Sequence, residues 1–548
     1  MTTRKTLKKK PKNVPNRRIS SVRLGKPAPA ADWYDAVRTT KDIPLDDPLP
    51  PQRMSFMQSP VITADQCDTG RVTIDMLPED ALLVIFGFYL NDSESKASSM
   101  NGFQWHALVH VCQKWRSIVL LSPHRLNLQL RCSLRTPTKR MLDIWPSLPI
   151  VIHHFGLTAS EWRMHNIIAA LKHNDRVCQI ALTPIPGSHW EKFMTAMSHP
   201  FPALTHLRLR SDDERETPPV VPHSFLGGST PSLRFLWLER IPFPGLPKLL
   251  LSTTDLVDLR LWEIPHSGYI SPKAMATCLS ALTRLEKLDL EFESPQSRPD
   301  LEAQRLPSPT RTRFVLPALT RFWFRGTSEY LEDLVARISA PLLHGLFIGF
   351  FHQLVFDTPQ LAQFISRTPT IRIHNQSQIL CFSDWGASVK FLRAGSPETS
   401  DRALQLGILG GQSDWLLSSL AQICTSSFPR TFIPAVEDLT VLEEALSPPH
   451  WHDDIESSQW VELLRPFTAV KNLFLSKEFA PRIAPSLQEL VAGGRATEAL
   501  PALKNLFLEE THPSRPVTKA IAKFVAARRQ SNHPIYISQW EREGRNGE

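Results

Sequence analysis

One pattern recurs along most of this chain and limits what it can fold into. It consists of an apolar residue, two variable residues, an apolar residue, one variable residue and a final apolar residue. Clear copies are Leu204-x-x-Leu207-x-Leu209, Leu233-x-x-Leu236-x-Leu238, Leu256-x-x-Leu259-x-Leu261 and Leu285-x-x-Leu288-x-Leu290. Leu319-x-x-Phe322-x-Phe324 and Leu343-x-x-Leu346-x-Ile348 follow, then Val436-x-x-Leu439-x-Val441, Val470-x-x-Leu473-x-Leu475 and Leu503-x-x-Leu506-x-Leu508. A weaker first copy is Val177-x-x-Ile180-x-Leu182. From 204 to 343 the copies start 29, 23, 29, 34 and 24 residues apart, and the last two start 33 apart. The last two apolar residues of each copy are two apart, the period of a strand, so both face one side and the residue between them faces the other. Each interval holds one strand and one return segment, helical over residues 330–338 for example. A unit this small buries its apolar side only by stacking on its neighbours.

The array resembles the leucine-rich repeat. The resemblance implies an α/β solenoid of parallel strands with helical or loop return segments over residues 177–530. The Asn or Cys usual after the strand is absent, and Ile241-Pro242 and Ile264-Pro265 stand there instead. With uneven spacing, and no clean copy over residues 360–400, a degenerate solenoid is expected rather than a regular horseshoe.

The residues between the apolar positions carry a second message. His206, Arg208 and Arg210 come from one copy, Phe235 and Trp237 from the next, then Arg260 and Trp262. Lys287, Asp289 and Glu291 follow, then Arg321, Trp323 and Arg325. Parallel stacking lines these up as one stripe. Exposed aromatics signal a binding surface, and Trp with Arg is a frequent hot-spot pairing. Arg208, Arg210, Phe235, Trp237, Arg260, Trp262, Arg321 and Trp323 are therefore the candidate target-binding residues. A second reading has loops folding back and burying the same rings as core.

Upstream, Ile74-Asp75-Met76-Leu77-Pro78-Glu79-Asp80-Ala81-Leu82-Leu83-Val84-Ile85-Phe86 precedes Trp105-His106-Ala107-Leu108-Val109-His110-Val111-Cys112-Gln113-Lys114-Trp115-Arg116. Pro78 suits a first helical turn, and Glu79 and Asp80 place negative charge at the helix N-terminus. Leu82, Ile85, Phe86 and Tyr89 recur at i, i+3, i+4 and i+7, an apolar stripe. Trp105, Leu108, Val109 and Cys112 resume the period, followed by Trp115, Ile118 and Val119. Three short helices bury little alone, so part of this surface is expected to meet a partner or the following domain. The segment resembles the F-box, which docks on a Skp-type adaptor and so joins a cullin-based ubiquitin ligase. Leu77, Pro78, Ile85, Phe86, Leu108, Val111, Cys112, Trp115 and Arg116 match the family pattern. The resemblance implies that they divide between the module's own core and the adaptor groove. An F-box beside a degenerate array is similar to the F-box proteins abundant in mushroom-forming fungi, over most of residues 70–530.

The formal net charge of +8 is local in origin. Ten cations, from Arg4 to Lys26, precede the first acidic residue, Asp32, and the remainder holds 52 basic against 54 acidic side chains. A basic nucleic-acid-binding body is not indicated. Residues 1–70, rich in Lys, Arg, Pro and Ser, read as a disordered tail. Its basic cluster is either a nuclear import signal or a solubility tail. Seven widely spaced cysteines without a C-x-x-C pair point to reduced thiols in the cytoplasm or nucleus. No apolar run reaches bilayer length, and no secretory h-region follows the basic start.

Catalytic signals are weak. No phosphate loop, dinucleotide fingerprint, nucleophile elbow or kinase signature occurs. His450-Trp451-His452-Asp453-Asp454 has ligand residue types but no remote partners, and His153-His154 has no adjacent carboxylate or thiol. No cofactor and no metal are expected. The organisation reads as a tail (1–70), an F-box (71–125), a helical linker or cap (126–176), the solenoid (177–530) and a C-terminal tail (531–548). The functional expectation is a non-catalytic substrate receptor of an SCF-type ligase. Its partners would be the adaptor, through it the cullin and RING subunits, and a protein target, with no membrane or nucleic acid. A scaffold working outside any ligase is the alternative.

Overall fold

The computed structural model describes residues 74–94, 104–133, 138–144, 147–155, 161–185, 187–211, 220–295, 313–351, 356–371, 377–383, 386–391, 404–410, 416–443, 457–509 and 514–541. The basic cluster of the tail and residues 450–454 lie outside them.

Three helices come first: α1 (Glu79–Glu94), α2 (Gln104–Val109) and α3 (Gln113–Leu121). Glu79 and Asp80 occupy the first turn of α1, where negative charge meets the exposed N–H groups of the helix start. Cys112 caps α3, its sulfur accepting from the Trp115 N–H at 3.4 Å. Leu82, Leu83 and Phe86 of α1 are buried with Trp105, Leu108, Val109, Ile118 and Val119. These side chains run without a break into the core of the sheet. The stripe expected on α1 divides in two. Leu82 and Phe86 point inward with Leu83, whereas Ile85 and Tyr89 lie on an exposed side with Val84 and Phe88. The helix is apolar on both faces, so spacing alone did not choose the buried one.

The strands are β1 (Leu130–Cys132), β2 (Ile150–Phe155), β3 (Val177–Ile185), β4 (His206–Ser211), β5 (Phe235–Glu239), β6 (Asp258–Ile264) and β7 (Lys287–Phe292). Next come β8 (Phe314–Val315), β9 (Arg321–Gly326), β10 (Ile338–Ser339), β11 (Gly345–Phe351), β12 (Ser377–Ser383), β13 (Gly386–Phe391) and β14 (Leu404–Leu409). The last are β15 (Asp438–Glu443), β16 (Asn472–Leu475), β17 (Asn505–Leu508) and β18 (Tyr536–Gln539). Strands β8 and β10 pair with each other, and the other sixteen form one sheet. All its pairings are parallel except those of β13 with β12 and β14.

The repeated apolar positions stack in register. Leu207, Leu236, Leu259, Leu288, Phe322, Leu346 and Leu404 form one row across neighbouring strands. Leu209, Leu238, Leu261, Leu290, Phe324, Ile348 and Leu406 form the next. Every one of these side chains is buried, contributing roughly 1.5–3 kcal/mol each relative to exposure. Most return segments are helical and close this core. Helix Ser328–Arg337 buries Tyr330, Leu331, Leu334 and Val335, and Ser271 caps helix Pro272–Ala281 by accepting from the Ala274 N–H. The arrangement is a long, mostly parallel sheet of stacked strand-and-return units, closed over its leucine side by helices.

Two features depart from the reading of the sequence, and a third gives the expected irregularity its form. The stretch expected to be a helical linker contributes β1 and β2 as well as helices Thr138–Ile144 and Glu161–Leu171. The stretch expected to be a C-terminal tail supplies β18. Residues 360–400, without a clean repeat copy, hold part of helix Pro359–Arg367 and the antiparallel pair β12–β13. There Gly386 has φ +149°, and a Cβ would collide with the Ile408 carbonyl oxygen, so only glycine fits.

Candidate functional site: an arginine–tryptophan face and an exposed helical patch

The leucine rows take one side of the sheet, and the intervening residues take the other. Register brings Arg208, Trp237, Arg260, Asp289 and Trp323 into a single row across β4, β5, β6, β7 and β9. His206, Phe235, Asp258, Lys287 and Arg321 form the row beside it. On the far side Arg210 is opposite Glu239, Glu239 opposite Trp262, and Glu291 opposite Arg325.

The rings pack on one another. Trp237 and Trp262 meet edge to face with centroids 4.7 Å apart, and Trp262 and Trp323 are 6.0 Å apart. Arg208 stands over Trp237 at 3.4 Å, and Arg260 lies 5.5 Å from both Phe235 and Trp237. Such cation–π contacts are worth about 0.5–2 kcal/mol, more as water is excluded. Trp237 is only 6% exposed, while Arg208, Arg210, Phe235, Arg260, Trp262, Arg321 and Trp323 are half-buried. The structure thus falls between the two readings of these residues. It brings all eight together on one face, clear of the leucine core, but the aromatic stripe is partly covered by its own arginines.

Carboxylates hold the arginines in place. Asp258 accepts two hydrogen bonds from Arg260, at 2.9 and 3.0 Å. Asp289 is ion-paired with Arg260 and Arg321, each at 3.6 Å. Glu291 accepts from Arg325 at 2.7 Å, and Glu239 pairs with Arg210 at 3.3 Å. Burial pushes the Asp289 carboxyl up to about 6, although Arg321 and Arg260 pull it down. Burial likewise pushes Glu291 up to about 7 against the pull of Arg325, and raises Glu239 against that of Arg210. Desolvation outweighs pairing at all three. Sequence reasoning placed Asp289 and Glu291 between the apolar positions but gave them no role. The available signal was alternation of sign between adjacent copies: Arg210 against Glu239, Arg260 against Asp289, Glu291 against Arg325.

Further along the same face, the Asn505 amide donates to Asn472 Oδ1 at 2.7 Å, and Asn472 donates to Asp438 at 2.6 Å. Phe474 and Phe507 stack at 4.4 Å with a 7° tilt. Trp540 folds over Phe474 and donates its indole N–H to the Leu475 carbonyl.

The second candidate surface is on the three helices. Of the residues matched to the F-box pattern, Phe86 and Leu108 are buried, and Leu77, Cys112 and Trp115 are half-buried. Phe86 and Trp115 pack with ring centroids 4.7 Å apart. Arg116 is exposed but anchored, its Nε donating to the Val109 carbonyl at 2.9 Å. Pro78 is exposed, as are Ile85 at 43% and Val111 at 59%. Phe88, at 73%, and Val84, at 56%, add to this apolar surface, and both escaped sequence reasoning because they fall outside the matched pattern.

Among the described residues no group of three His, Cys, Asp or Glu side chains is placed to hold a metal. No described helix is long and apolar enough to cross a membrane, and none of the described cysteines is paired in a disulfide.

No protein-family model matches the chain, and no curated protein matches it. Among solved structures it is similar to the leucine-rich repeat-containing protein LegL7 from Legionella pneumophila. The identity is 14%, the TM-score 0.24, and the match covers 63% of this chain and 97% of that one.

Proposed function

We propose that the protein is a substrate receptor of an SCF-type ubiquitin ligase. The helical unit seats on a Skp-type adaptor and so joins cullin and RING subunits. The arginine–tryptophan face holds the protein to be modified. The observation that carries this reading is the doubly apolar α1: Leu82, Leu83 and Phe86 complete the internal core, while Val84, Ile85 and Phe88 remain exposed on the same helix. Large apolar side chains grouped on a surface are characteristic of an interaction site. The F-box resemblance of residues 74–116 supplies the identity of the partner. The receptor's contribution is proximity: a bound target is held at high effective concentration near the charged conjugating enzyme, and this chain performs no bond chemistry itself. On this reading it works in the cytoplasm or nucleus.

The test is affinity purification of the tagged full chain as wild type and as Leu77→Ala/Pro78→Ala. Adaptor and cullin recovered with the wild type and lost from the variant, with other partners kept, support the proposal. A wild-type protein that recovers partners but neither adaptor nor cullin is instead a scaffold outside the ligase.

A further inference from the structure

The ion pairs of the arginine–tryptophan face share one layering: the carboxylate lies beneath and the guanidinium outermost. Side-chain exposure is 36% for Arg210 against 8% for Glu239, and 32% for Arg325 against 8% for Glu291. It is 18% for Arg260 and 23% for Arg321 against 4% for Asp289. A guanidinium carries five N–H donors in a rigid plane. A carboxylate below fixes that plane and leaves its outer edge to a further acceptor. The face also holds buried donors: the indole N–H groups of Trp237 and Trp262 have no hydrogen-bond partner.

The charge balance points the same way. With the adjoining Arg240, Glu263 and Glu293 included, the seven cations Arg208, Arg210, Arg240, Arg260, Lys287, Arg321 and Arg325 outnumber the six carboxylates Glu239, Asp258, Glu263, Asp289, Glu291 and Glu293 by one even with every carboxylate ionised. With Glu291 at about 7 and Asp289 at about 6, part of that negative charge is absent at neutral pH. Around Arg210 and Arg325 a basic segment would meet guanidinium edges first, because Glu239 and Glu291 beneath them are each only 8% exposed. A nucleic-acid strand fits less well, because outside the ten cations of residues 4–26 the chain carries 52 basic against 54 acidic side chains and offers no extended basic track for phosphates.

We infer that the face binds an acidic segment of the captured protein, whose carboxylate or phosphate oxygens accept from the outer edges of Arg210 and Arg325 while the segment crosses the rings of Trp262 and Trp323. The inference rests on the reading that this face holds the target. It adds the chemistry that the target presents.

The test is fluorescence anisotropy on the full chain. The probes are a labelled Glu–Ser peptide, its counterpart with phosphoserine for serine, its counterpart with lysine for glutamate, and a single-stranded oligouridylate. The glutamate and phosphoserine peptides should bind and the lysine peptide should not. Arg210→Gln/Arg325→Gln should weaken binding by about tenfold or more, as expected for loss of charge-assisted hydrogen bonds. Lys519→Gln/Lys523→Gln, on the exposed basic side of helix Arg515–Gln530, should leave it unchanged. Tighter binding of the phosphoserine peptide identifies phosphate as the anion, and equal or weaker binding identifies side-chain carboxylates. Binding of neither anionic peptide, equal binding of the lysine peptide, indifference to the arginine substitutions, or displacement by oligouridylate would each overturn the inference. Adaptor binding measured on the same preparation separates the two ideas. Adaptor bound without anionic peptide refutes only the acidic-segment inference, and peptide bound without adaptor refutes only the ligase reading.

Discussion

The guanidinium of Arg208 stands 3.4 Å from the centre of the Trp237 ring, and strand pairing puts the two residues directly opposite each other. Trp237 is therefore covered by a cation rather than by the leucine core. Arg208→Ala should lower stability by about 0.5–2 kcal/mol, the range of a partly desolvated cation–π contact, and expose the ring. Urea unfolding gives the first quantity, and quenching of tryptophan fluorescence by acrylamide the second. Unchanged stability with unchanged quenching would contradict this packing.

Two neighbouring phenylalanines of α1 should behave oppositely. Phe86 is buried against Trp115, while Phe88 is 73% exposed. Phe86→Ala should cost about 3–5 kcal/mol through the cavity it leaves. Phe88→Ala should change stability by no more than about 0.5 kcal/mol, yet weaken adaptor binding. Denaturant midpoints of the two variants decide the first point, and adaptor titration the second.

How much of this was legible in the sequence depended on the kind of signal. The Leu-x-x-Leu-x-Leu copies named the strands and their inward residues correctly, because a period of two fixes the side of every side chain once one side is buried. The same alternation placed Trp237, Trp262 and Trp323 together. It did not reveal that Asp289 and Glu291 lie beneath the arginines, since depth within a face depends on how neighbouring strands pack. Strands β1, β2 and β18 carry too few repeat positions to be recognised. The inward row through β12 contains Gln378, fully buried, which breaks the apolar pattern there. On α1 the periodicity was present on two faces at once, and only the position of the sheet decided between them.

The asparagine ladder should depend most on its middle member. Asn472 both donates to Asp438 and accepts from Asn505. Asn472→Ala leaves two partly buried polar groups without that partner and should cost about 1–3 kcal/mol. Asn505→Ala removes one contact at the end of the ladder and should cost less. Thermal unfolding that ranks the two in the reverse order would show that the ladder does not act as a unit.

Glu332 gives a pH-dependent prediction. From helix Ser328–Arg337 it accepts the Gln360 and Leu361 N–H groups at 2.8 and 2.7 Å, closing the start of helix Pro359–Arg367. Burial pushes its carboxyl up to about 7; the two N–H groups lower it and Asp357 raises it. Its pKa in the fold exceeds the ordinary 4.5, so the native state binds its proton more tightly than the unfolded chain. That contribution to stability is fully present below the ordinary value and is lost as pH rises to about 7. Glu332→Gln removes the titration while keeping one acceptor. The difference in Tm between variant and wild type should therefore move in the variant's favour from about pH 5 to about pH 8. A difference that stays flat would contradict it.

The most direct test of the receptor account is titration of purified Skp-type adaptor into the full chain, as wild type and as Ile85→Asp/Val111→Asp. Both positions are exposed, so the fold should survive the change. The account predicts saturable binding to the wild type and none to the variant, with both proteins unfolding at the same denaturant midpoint. Adaptor that ignores the wild type, or binds both proteins equally, would contradict it.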